Sequence, residues 1–260
     1  MPQTSKQHVR DGFVTAAAQS FAELGYEATT MAGVAERAGS SVGNLYKYFS
    51  GKQELLAAAI PAELAREMRE RTRARIVALG TARDVGQLAQ GARYHVLAGE
   101  LLDYCFAHRA AVVVLLSRAQ STPYAGFADE LVGQLVEWAL DYARAAYPAL
   151  KASTELRFVL RRAYQDFVMS LAAALLDFSP EAQARAVIAL LTAHHLGGLK
   201  RLFETQGETD AQSHHPAPSP VVASAAGSSP GRTRARAAGA GAAGSAAGPA
   251  DRPRRTRRRR

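Results

Sequence analysis

Residues 29–55, TTMAGVAERAGSSVGNLYKYFSGKQEL, hold the side chains whose chemistry points most clearly to a function. Asn44 can pair with both polar groups of an adenine edge, and Val42 can touch a thymine methyl group. Gly43 has no side chain, so the backbone there can approach DNA closely. A run of polar, aromatic and basic residues follows at once, and such residues commonly contact phosphate. The pattern indicates DNA binding.

Two short amphipathic helices must position these side chains. A turn at Gly39-Ser40-Ser41 separates them in the sequence. Thr30 can cap the first helix, and Ser40 or Ser41 can cap the second. This is the layout of a helix-turn-helix, in which the second helix enters the major groove and its first residues, here Ser41 to Asn44, reach the base edges.

A longer helix precedes this unit and a connecting helix follows it. Apolar residues recur at helical spacing in the longer helix, at Val9, Phe13, Ala17, Phe21 and Leu24. A capping box at Thr4–Gln7 would start it, and Gly25 is a natural stop. A second capping box at Ser50–Gln53 opens the connecting helix, which Pro61 breaks.

Net charge is not the argument for DNA binding. Of the +9 in total, residues 207–260 contribute +7, from ten Arg against Glu208, Asp210 and Asp251. Residues 1–206 therefore carry only +2, and residues 1–56 hold five basic and five acidic side chains. Individual positions, rather than bulk charge, support the prediction.

Beyond Gly80 the apolar pattern predicts longer helices, near residues 84–107, 109–119, 124–147, 153–178 and 180–204. Ser179-Pro180-Glu181 is a strong start signal for the last of them. Large apolar residues almost disappear after Gly207, which predicts a disordered basic tail. The predicted fold class is all-α, with an N-terminal three-helix head containing the helix-turn-helix at residues 30–49, a C-terminal helical domain and the tail.

The N-terminal part resembles the DNA-binding domain of TetR/AcrR-family transcriptional regulators. The matching elements are Phe21-x-x-x-Gly25-Tyr26-x-x-Thr29-Thr30, Val34-Ala35-x-x-Ala38-Gly39, Ser41-x-Gly43-x-Leu45-Tyr46-x-Tyr48-Phe49 and Lys52-x-x-Leu55. The resemblance implies that residues 7–67, called the head below, bind DNA. Residues 68–206, called the distal domain below, would bind a ligand and dimerise, and residues 207–260 form the tail.

The resemblance also implies which residues contact DNA. They are Thr30, Ser41, Val42, Gly43, Asn44, Tyr46, Lys47, Tyr48 and Lys52. Tyr46 would point its hydroxyl at phosphate, with Lys47 and Lys52 supplying charge. Simpler interpretations stay open, with Thr30 as a helix cap only and both tyrosines in the core of the head.

Aromatic and apolar side chains of the distal domain could line a largely apolar cavity for a small-molecule effector. They are Tyr94, Leu97, Leu101, Tyr104, Cys105, Phe127, Trp138, Tyr164 and Phe167. Residues at helical spacing more often form an ordinary core, so this alternative also stays open.

The last two helices are apolar around more of their circumference than a surface helix of a monomer needs. Gly197-Gly198 would also let another helix approach closely. We therefore expect a homodimer. Its interface is predicted to hold Leu171, Leu175, Leu190, Leu191, Leu199 and Leu202.

Two further side-chain sets receive ordinary interpretations. Zinc ligands could come from two helices, at Cys105, His108, His194 and His195, but no loop spacing supports a metal site and packing or capping roles are more common. Four arginines interspersed with acids are expected on a solvated face, namely Arg69, Arg71, Arg73 and Arg75. No metal and no cofactor is predicted.

Other classes of protein are disfavoured. The N-terminal MPQTSKQHVRDGF has no apolar stretch typical of a signal peptide, and the run from Ala110 to Leu116 is too short to cross a bilayer. G-x-S-x-G occurs at Gly39–Gly43, but within the predicted helix-turn-helix rather than between a strand and a helix. It occurs again at Gly227–Gly231, and G-x-G-x-x-G occurs at Gly239–Gly244, both in the predicted tail. Gly51-Lys52-Gln53 lacks the spacing of a P-loop. We expect a cytoplasmic, nucleoid-associated protein that is not an enzyme and has no membrane partner.

The sequence thus predicts a homodimeric repressor that binds a palindromic double-stranded DNA operator and is released by a small, largely apolar ligand. One competing hypothesis is a constitutive, architectural DNA-binding protein that relies on the arginine-rich tail. Another is an enzyme or ligand carrier that has kept the head only as structure. Measuring binding to operator and to random DNA at several salt concentrations would distinguish the architectural protein from the predicted repressor.

Overall fold

The computed structural model describes the backbone of residues 2–212 and the side chains of residues 6–206. This part of the chain is all-helical and contains no strand, which confirms the predicted fold class. The helices are α1 (Pro2–Ala28), α2 (Met31–Arg37), α3 (Val42–Leu45), α4 (Lys52–Ala59), α5 (Ala62–Val77), α6 (Arg93–Ala107), α7 (Arg109–Val113), α8 (Phe127–Ala146), α9 (Thr154–Asp177) and α10 (Glu181–Gln212).

Helix α1 supplies the core of the head. Phe13, Ala17 and Phe21 are fully buried, as their helical spacing predicts. The end residues behave differently from the prediction. Leu24, the last residue of the predicted apolar stripe, is exposed. The helix already includes Thr4, which therefore does not cap it.

Gly25 interrupts α1 with a backbone conformation of φ 79° and ψ 169°. This region of φ/ψ space is open essentially only to glycine. One more turn follows to Ala28, and the Thr29 hydroxyl donates to the Gly25 carbonyl oxygen over 2.7 Å. The predicted stop at Gly25 is thus confirmed as a sharp kink that redirects the chain into α2.

Both caps predicted for the helix-turn-helix are present. Thr30 Oγ1 accepts from the Gly33 amide over 3.0 Å, and Ser41 Oγ accepts from the Asn44 amide over 3.2 Å. Gly39 lies between the two helices at φ 65°, a left-handed conformation that suits glycine. Each cap satisfies an amide that the first turn would otherwise leave unpaired. Local chemistry therefore fixes where α2 and α3 begin.

The start of α4 differs from the predicted capping box. Gly51, rather than Ser50, is the N-cap residue, and Glu54 rather than Gln53 closes back on the chain. Glu54 accepts from both the amide and the hydroxyl of Ser50, each over 2.7 Å. The helix ends at Ala59, and Pro61 separates it from α5 as predicted.

Helix α6 starts at Arg93, nine residues after the predicted start at residue 84. Asp84 instead caps a 3₁₀ turn at Val85–Gln87 by accepting from the Gly86 amide over 2.9 Å. The other carboxylate oxygen of Asp84 accepts from Lys200 Nζ of α10 over 2.6 Å. This distant partner holds the segment as a loop against the distal domain.

The distal helices share one continuous core with the head. Helix α7 continues as a π-helix over Val114–Arg118, whose first three residues are fully buried. This segment lies at the centre, because it packs against α1 on one side and against α8 and α9 on the other. The predicted domain boundary at residues 67 and 68 stays a prediction, since α5 runs across it without a break.

Helix α10 extends to Gln212, so the helix does not end at Gly207. The predicted disordered tail otherwise lies outside the described residues. Within residues 2–212, no helix is long and apolar enough to span a bilayer.

We expect Gly25→Ala to lower the free energy of unfolding by about 1–3 kcal/mol, because alanine is strained in this conformation. Gly43→Ala is the matched control. Its new methyl group would meet no atom within 4 Å at an exposed helical position, so stability should be kept or slightly raised. Urea denaturation of both variants checks the difference. Equal stability of Gly25→Ala and the wild type would contradict a glycine-specific kink.

Candidate functional site

The helix-turn-helix presents an outward surface around the first residues of α3. Most of the predicted DNA-binding residues are exposed there, namely Thr30, Ser41, Val42, Gly43, Tyr46 and Lys47. Fully buried Leu45 and Phe49 anchor the opposite side in the core of the head. The structure therefore brings these predicted contacts onto one face.

The two tyrosines after α3 point in different directions. Tyr46 is 53% exposed, whereas Tyr48 is half-buried with its ring centroid 5.8 Å from that of Phe13 in α1. Tyr46 is thus free to offer its hydroxyl to a phosphate. Tyr48 follows the simpler interpretation and packs in the head.

Asn44 is partly buried beside the exposed residues of α3. Its Nδ2 donates to the Ser40 hydroxyl over 3.1 Å, which holds the amide across the turn. The second N–H of Nδ2 and the carbonyl oxygen Oδ1 of Asn44 remain for a bidentate contact with a base. To use the first N–H as well, Asn44 must break its hydrogen bond to Ser40. Base reading by Asn44 stays a prediction.

Lys52 is placed differently from the phosphate contact that the sequence predicts. Its Nζ donates to the carbonyl oxygens of Tyr26, Glu27 and Thr29 over 2.7, 3.2 and 3.0 Å. It also lies 4.4 Å from the centre of the Tyr26 ring. All three ammonium N–H groups are therefore used inside the head, where they tie α4 to the end of α1.

A second contact fixes α2 against α1. Arg37 forms two hydrogen bonds with the carboxylate of Glu23, one of them 2.9 Å long. This hydrogen bonding lowers the pKa of Glu23 below its usual range. The pair therefore ties α2 to α1 through a charge-assisted contact.

Residues 13–59 match the sequence model of the bacterial regulatory proteins of the tetR family. The match covers the α1 stripe from Phe13 onward, the helix-turn-helix and α4. The head therefore contains a TetR-family DNA-binding domain. DNA binding and transcription regulation are therefore its general function. No curated protein sequence matches the chain.

Solved structures of TetR-family regulators are similar to this chain. FadR of Bacillus halodurans, a fatty acid degradation regulator, is 18% identical, with 70% of this chain and 93% of that chain covered at a TM-score of 0.37. A regulator of Streptomyces coelicolor is 22% identical, with 77% and 90% covered at a TM-score of 0.35. NalD of Pseudomonas aeruginosa, the secondary repressor of the MexAB-OprM multidrug efflux pump, is 18% identical, with 72% and 96% covered at 0.35.

In the distal domain, an aromatic cluster surrounds two basic side chains. Arg75 of α5 donates to the Tyr94 hydroxyl over 2.8 Å and lies 5.1 Å from the centre of that ring. His195 of α10 stacks on Phe167 at 4.4 Å and meets the Tyr164 ring edge-on at 4.9 Å. We call these five residues the Arg75 cluster.

Burial sets the charge states in this cluster. It lowers the pKa of His195 to about 4, with the positive charges of Arg75 and His194 adding to the effect. Burial also raises the pKa of Tyr164. The Nε2 atom of His195 is buried without a hydrogen-bond partner among the described residues. A neutral histidine with an unpaired ring nitrogen is an available polar contact for a ligand.

The predicted pocket residues do not all meet in one cavity. Tyr94, Tyr164 and Phe167 belong to the Arg75 cluster, and Cys105 is buried, which raises its pKa to about 12. Tyr104 lies under Arg71 and Phe127 under Arg69, at 4.7 and 4.5 Å from the ring centres. Leu97 and Leu101 are half-buried on α6, and Trp138 lines a separate cavity of about 190 Å³ beside α5 and α8.

The arginines of α5 correct the prediction of a solvated face. Arg73 is exposed, but Arg69, Arg71 and Arg75 each lie over an aromatic ring of the distal domain. The sequence carried a signal for Arg75, which continues the buried stripe of Leu64 and Met68 at helical spacing. A cation in an apolar stripe is easily taken for a solvated residue.

The possible zinc ligands take packing roles. The His108 ring lies 4.6 Å from that of Tyr104, while His195 belongs to the Arg75 cluster. No group of three or more metal-ligating side chains was found in the described part of the chain.

The predicted dimer residues divide into three sets. Leu175 and Leu199 lie in the core of the protomer, which removes them from the predicted interface. Leu190 is 73% exposed on α10. Half-buried side chains between these extremes are Leu171, Leu191 and Leu202. Helix α9 also exposes Phe158 and Met169, which are eleven residues apart and therefore on one face of the helix.

We expect Lys52→Met to lower the free energy of unfolding by about 2 kcal/mol, because three carbonyl oxygens lose a charged donor. Lys47→Met is the matched control, since Lys47 is exposed and makes no hydrogen bond or ion pair with a described residue. It should leave stability within about 0.5 kcal/mol but reduce the salt dependence of DNA binding by about one charge per half-site. Urea denaturation and DNA titrations at several salt concentrations distinguish the two. Unchanged stability of Lys52→Met would contradict its structural role.

We expect stability to fall between pH 6.5 and pH 4 because of His195. The unfolded histidine binds a proton near pH 6.5 and the folded one only near pH 4, so the unfolded state gains protons first as pH falls. Between pH 7.5 and 5 this contributes about 2 kcal/mol. His195→Phe should lose that part of the pH dependence in urea denaturation, and the exposed control His8→Phe should keep it. An identical pH dependence in all three proteins would show that His195 is not held neutral.

Proposed function

We propose that the chain is a homodimeric transcriptional repressor, released from a palindromic operator by a small, largely apolar ligand. The observation that carries the proposal is the exposed face of the helix-turn-helix, where Val42, Tyr46 and Lys47 project away from a well-packed core. A surface of this kind on a TetR-family head has a polar, basic edge beside residues suited to base contacts.

The DNA contacts divide into two kinds. Ser41, Val42, Gly43 and Asn44 would read base edges, because they form the first turn of the recognition helix. Phosphate would be bound by the groups around them, chiefly Thr30, Tyr46 and Lys47, with Tyr48 at the margin. Lys52 would act through the backbone that it holds, as a positioning residue for α2 and α3.

The dimer interface would lie on α9 and α10. Ala186, Leu190, Ala193 and Gly197 are all exposed and recur at intervals of four, three and four residues along one face of α10. Small residues around one leucine let another helix approach closely and bury that leucine. Two-fold pairing would place two heads on one operator, which doubles the contacts that a single short recognition helix can make.

The effector would bind in the Arg75 cluster. Its aromatic rings suit an apolar ligand. The Arg75 guanidinium can donate hydrogen bonds to the ligand, and the unpaired Nε2 of His195 offers a second polar contact. No carboxylate among the described residues lies within 4.0 Å of the Arg75 guanidinium, so a ligand oxygen would meet an unneutralised charge. Binding requires the surrounding rings to move apart.

Helix α5 would carry the signal to the head. It holds Arg75 near its C-terminus, while its N-terminal end accepts from the Tyr104 hydroxyl at Leu64. The carbonyl oxygen of Ile60, just before α5, accepts from Tyr124 over 2.8 Å. A ligand that displaces Arg75 would move α5 and with it the head, and it releases DNA only if it binds the two arrangements with different affinity.

Selection from a random DNA library with the full chain should return a palindrome of two half-sites. We expect Asn44→Ala to relax the preference at one base pair per half-site, at a cost of about 1–3 kcal/mol there. Gln53→Ala, on an exposed position of α4, should leave the selected sequence unchanged. A selection that yields no palindrome would refute the dimeric repressor, and an unchanged sequence with Asn44→Ala would remove Asn44 from base reading.

The role of the tail needs a separate measurement. Titrations of operator and random DNA, with the full chain and with a variant that lacks residues 208–260, distinguish non-specific binding by the tail from specific binding.

We expect Leu190→Glu to produce monomers and to abolish tight operator binding while helicity survives, because a charge replaces an exposed leucine at the proposed interface. Val77→Glu is the matched control, since Val77 is similarly exposed on α5 away from this face. Light scattering gives the mass, and circular dichroism checks the fold. A dimeric Leu190→Glu protein would place the interface elsewhere.

A further inference from the structure

A groove of about 560 Å³ separates the head from the distal domain. Val14, Ala18 and Ala22 of α1 form one wall, while the junction of α6 and α7 around Ala110 forms the other. Leu175 and Leu176 at the C-terminal end of α9, and Ser179 just after it, close the groove. Its volume falls within the range of small-molecule sites, roughly 300–1,000 Å³.

Small side chains leave this space open. Alanine occupies six of the positions that line it, at Ala18, Ala22, Ala59, Ala107, Ala110 and Ala111. Longer apolar side chains, among them Phe106 and Leu176, line the rest of the walls. An apolar body could therefore lie in the groove against these small side chains.

Arg109 supplies the charge in the groove. Its guanidinium donates to the carbonyl oxygens of Leu175, Phe178 and Ser179, the last two over 2.5 and 3.3 Å. Three of its five N–H groups are used in this way, and two remain. The contacts hold the side chain rigidly at the end of α9, where the helix dipole favours a cation.

No carboxylate neutralises Arg109 among the described residues. The acid that lines the groove is Glu23, which is already paired with Arg37. The lining therefore carries two arginines against one glutamate, a net charge of +1. A partial charge on three carbonyls does not cancel a full unit charge, so the groove favours an anion over a cation or a neutral molecule.

We propose that this groove binds an anionic amphiphile, with its apolar body between α1 and α7 and a single carboxylate or sulfonate at Arg109. The site is separate from the Arg75 cluster, and binding here does not require that cluster to hold a ligand. Because α1 belongs to the head and α7 to the distal domain, the ligand bridges both. If the bound ligand holds the head in one arrangement, it changes the affinity of the protein for DNA by some factor. DNA must then change the affinity for the ligand by the same factor.

The test uses two fluorescent probes that differ by one sulfonate, 1-anilinonaphthalene-8-sulfonate and neutral N-phenyl-1-naphthylamine, titrated into the full chain. Varying the probe tests the charge without mutating Arg109, which also caps α9. Ala107→Trp fills the groove from an exposed lining position, and Ala62→Trp is the matched control on an exposed position of α5 outside the groove. Gln19→Trp, also exposed in the lining, serves if Ala107→Trp fails to fold.

The sulfonate probe should show a saturable site that binds at least about fivefold tighter than the neutral probe, as expected for one charge-assisted contact. Ala107→Trp or Gln19→Trp should weaken it at least about tenfold, and Ala62→Trp should not change it. Equal affinity for the two probes would overturn the anionic site. Wild-type affinity in the groove-filling variants, or no saturable binding at all, would show that the groove is not the binding site.

Discussion

The two faces of α1 that pack against other helices are the constraint on which the other elements depend. One face, with Phe13 and Phe21, forms the core against which α2, α3 and α4 pack. The other, with Val14 and Ala18, lies toward α7 and the π-helix that follows it. Because interiors are close-packed, neither face can shift without disturbing the other. The position of the recognition helix is therefore tied through one rigid element to the distal domain.

Several basic side chains hold the helices together at positions where the sequence suggests that they face solvent or contact DNA. Lys52 and Arg109 each donate to three carbonyl oxygens where a helix ends, and both are held there by the partial negative charge of those carbonyls. Arg69 and Arg75 cover aromatic rings instead. Such contacts keep a charge half-buried without a paired acid, because rings and carbonyls replace part of its hydration.

Two places between the helices could convert ligand binding into movement of the heads. The Arg75 cluster lies at the distal end of α5, and the groove at Arg109 lies directly between α1 and α7. A ligand at the first acts through a helix of sixteen residues, and a ligand at the second contacts the head itself. Both can work only by binding one arrangement of the helices better than another, so the two sites would be coupled through the same equilibrium.

The sequence by itself determined the elements whose signals are local. The caps at Thr30 and Ser41 join residues three apart, so the helix-turn-helix and its family were predictable from the residues alone. Tertiary structure decided what depends on distant partners: the loop at Asp84 is held by Lys200, 116 residues away. It also placed Arg75 in an aromatic interior and Leu199 in the core. A spacing shows which residues share a helix face, but only packing decides whether that face meets water, the protein's own core or a ligand.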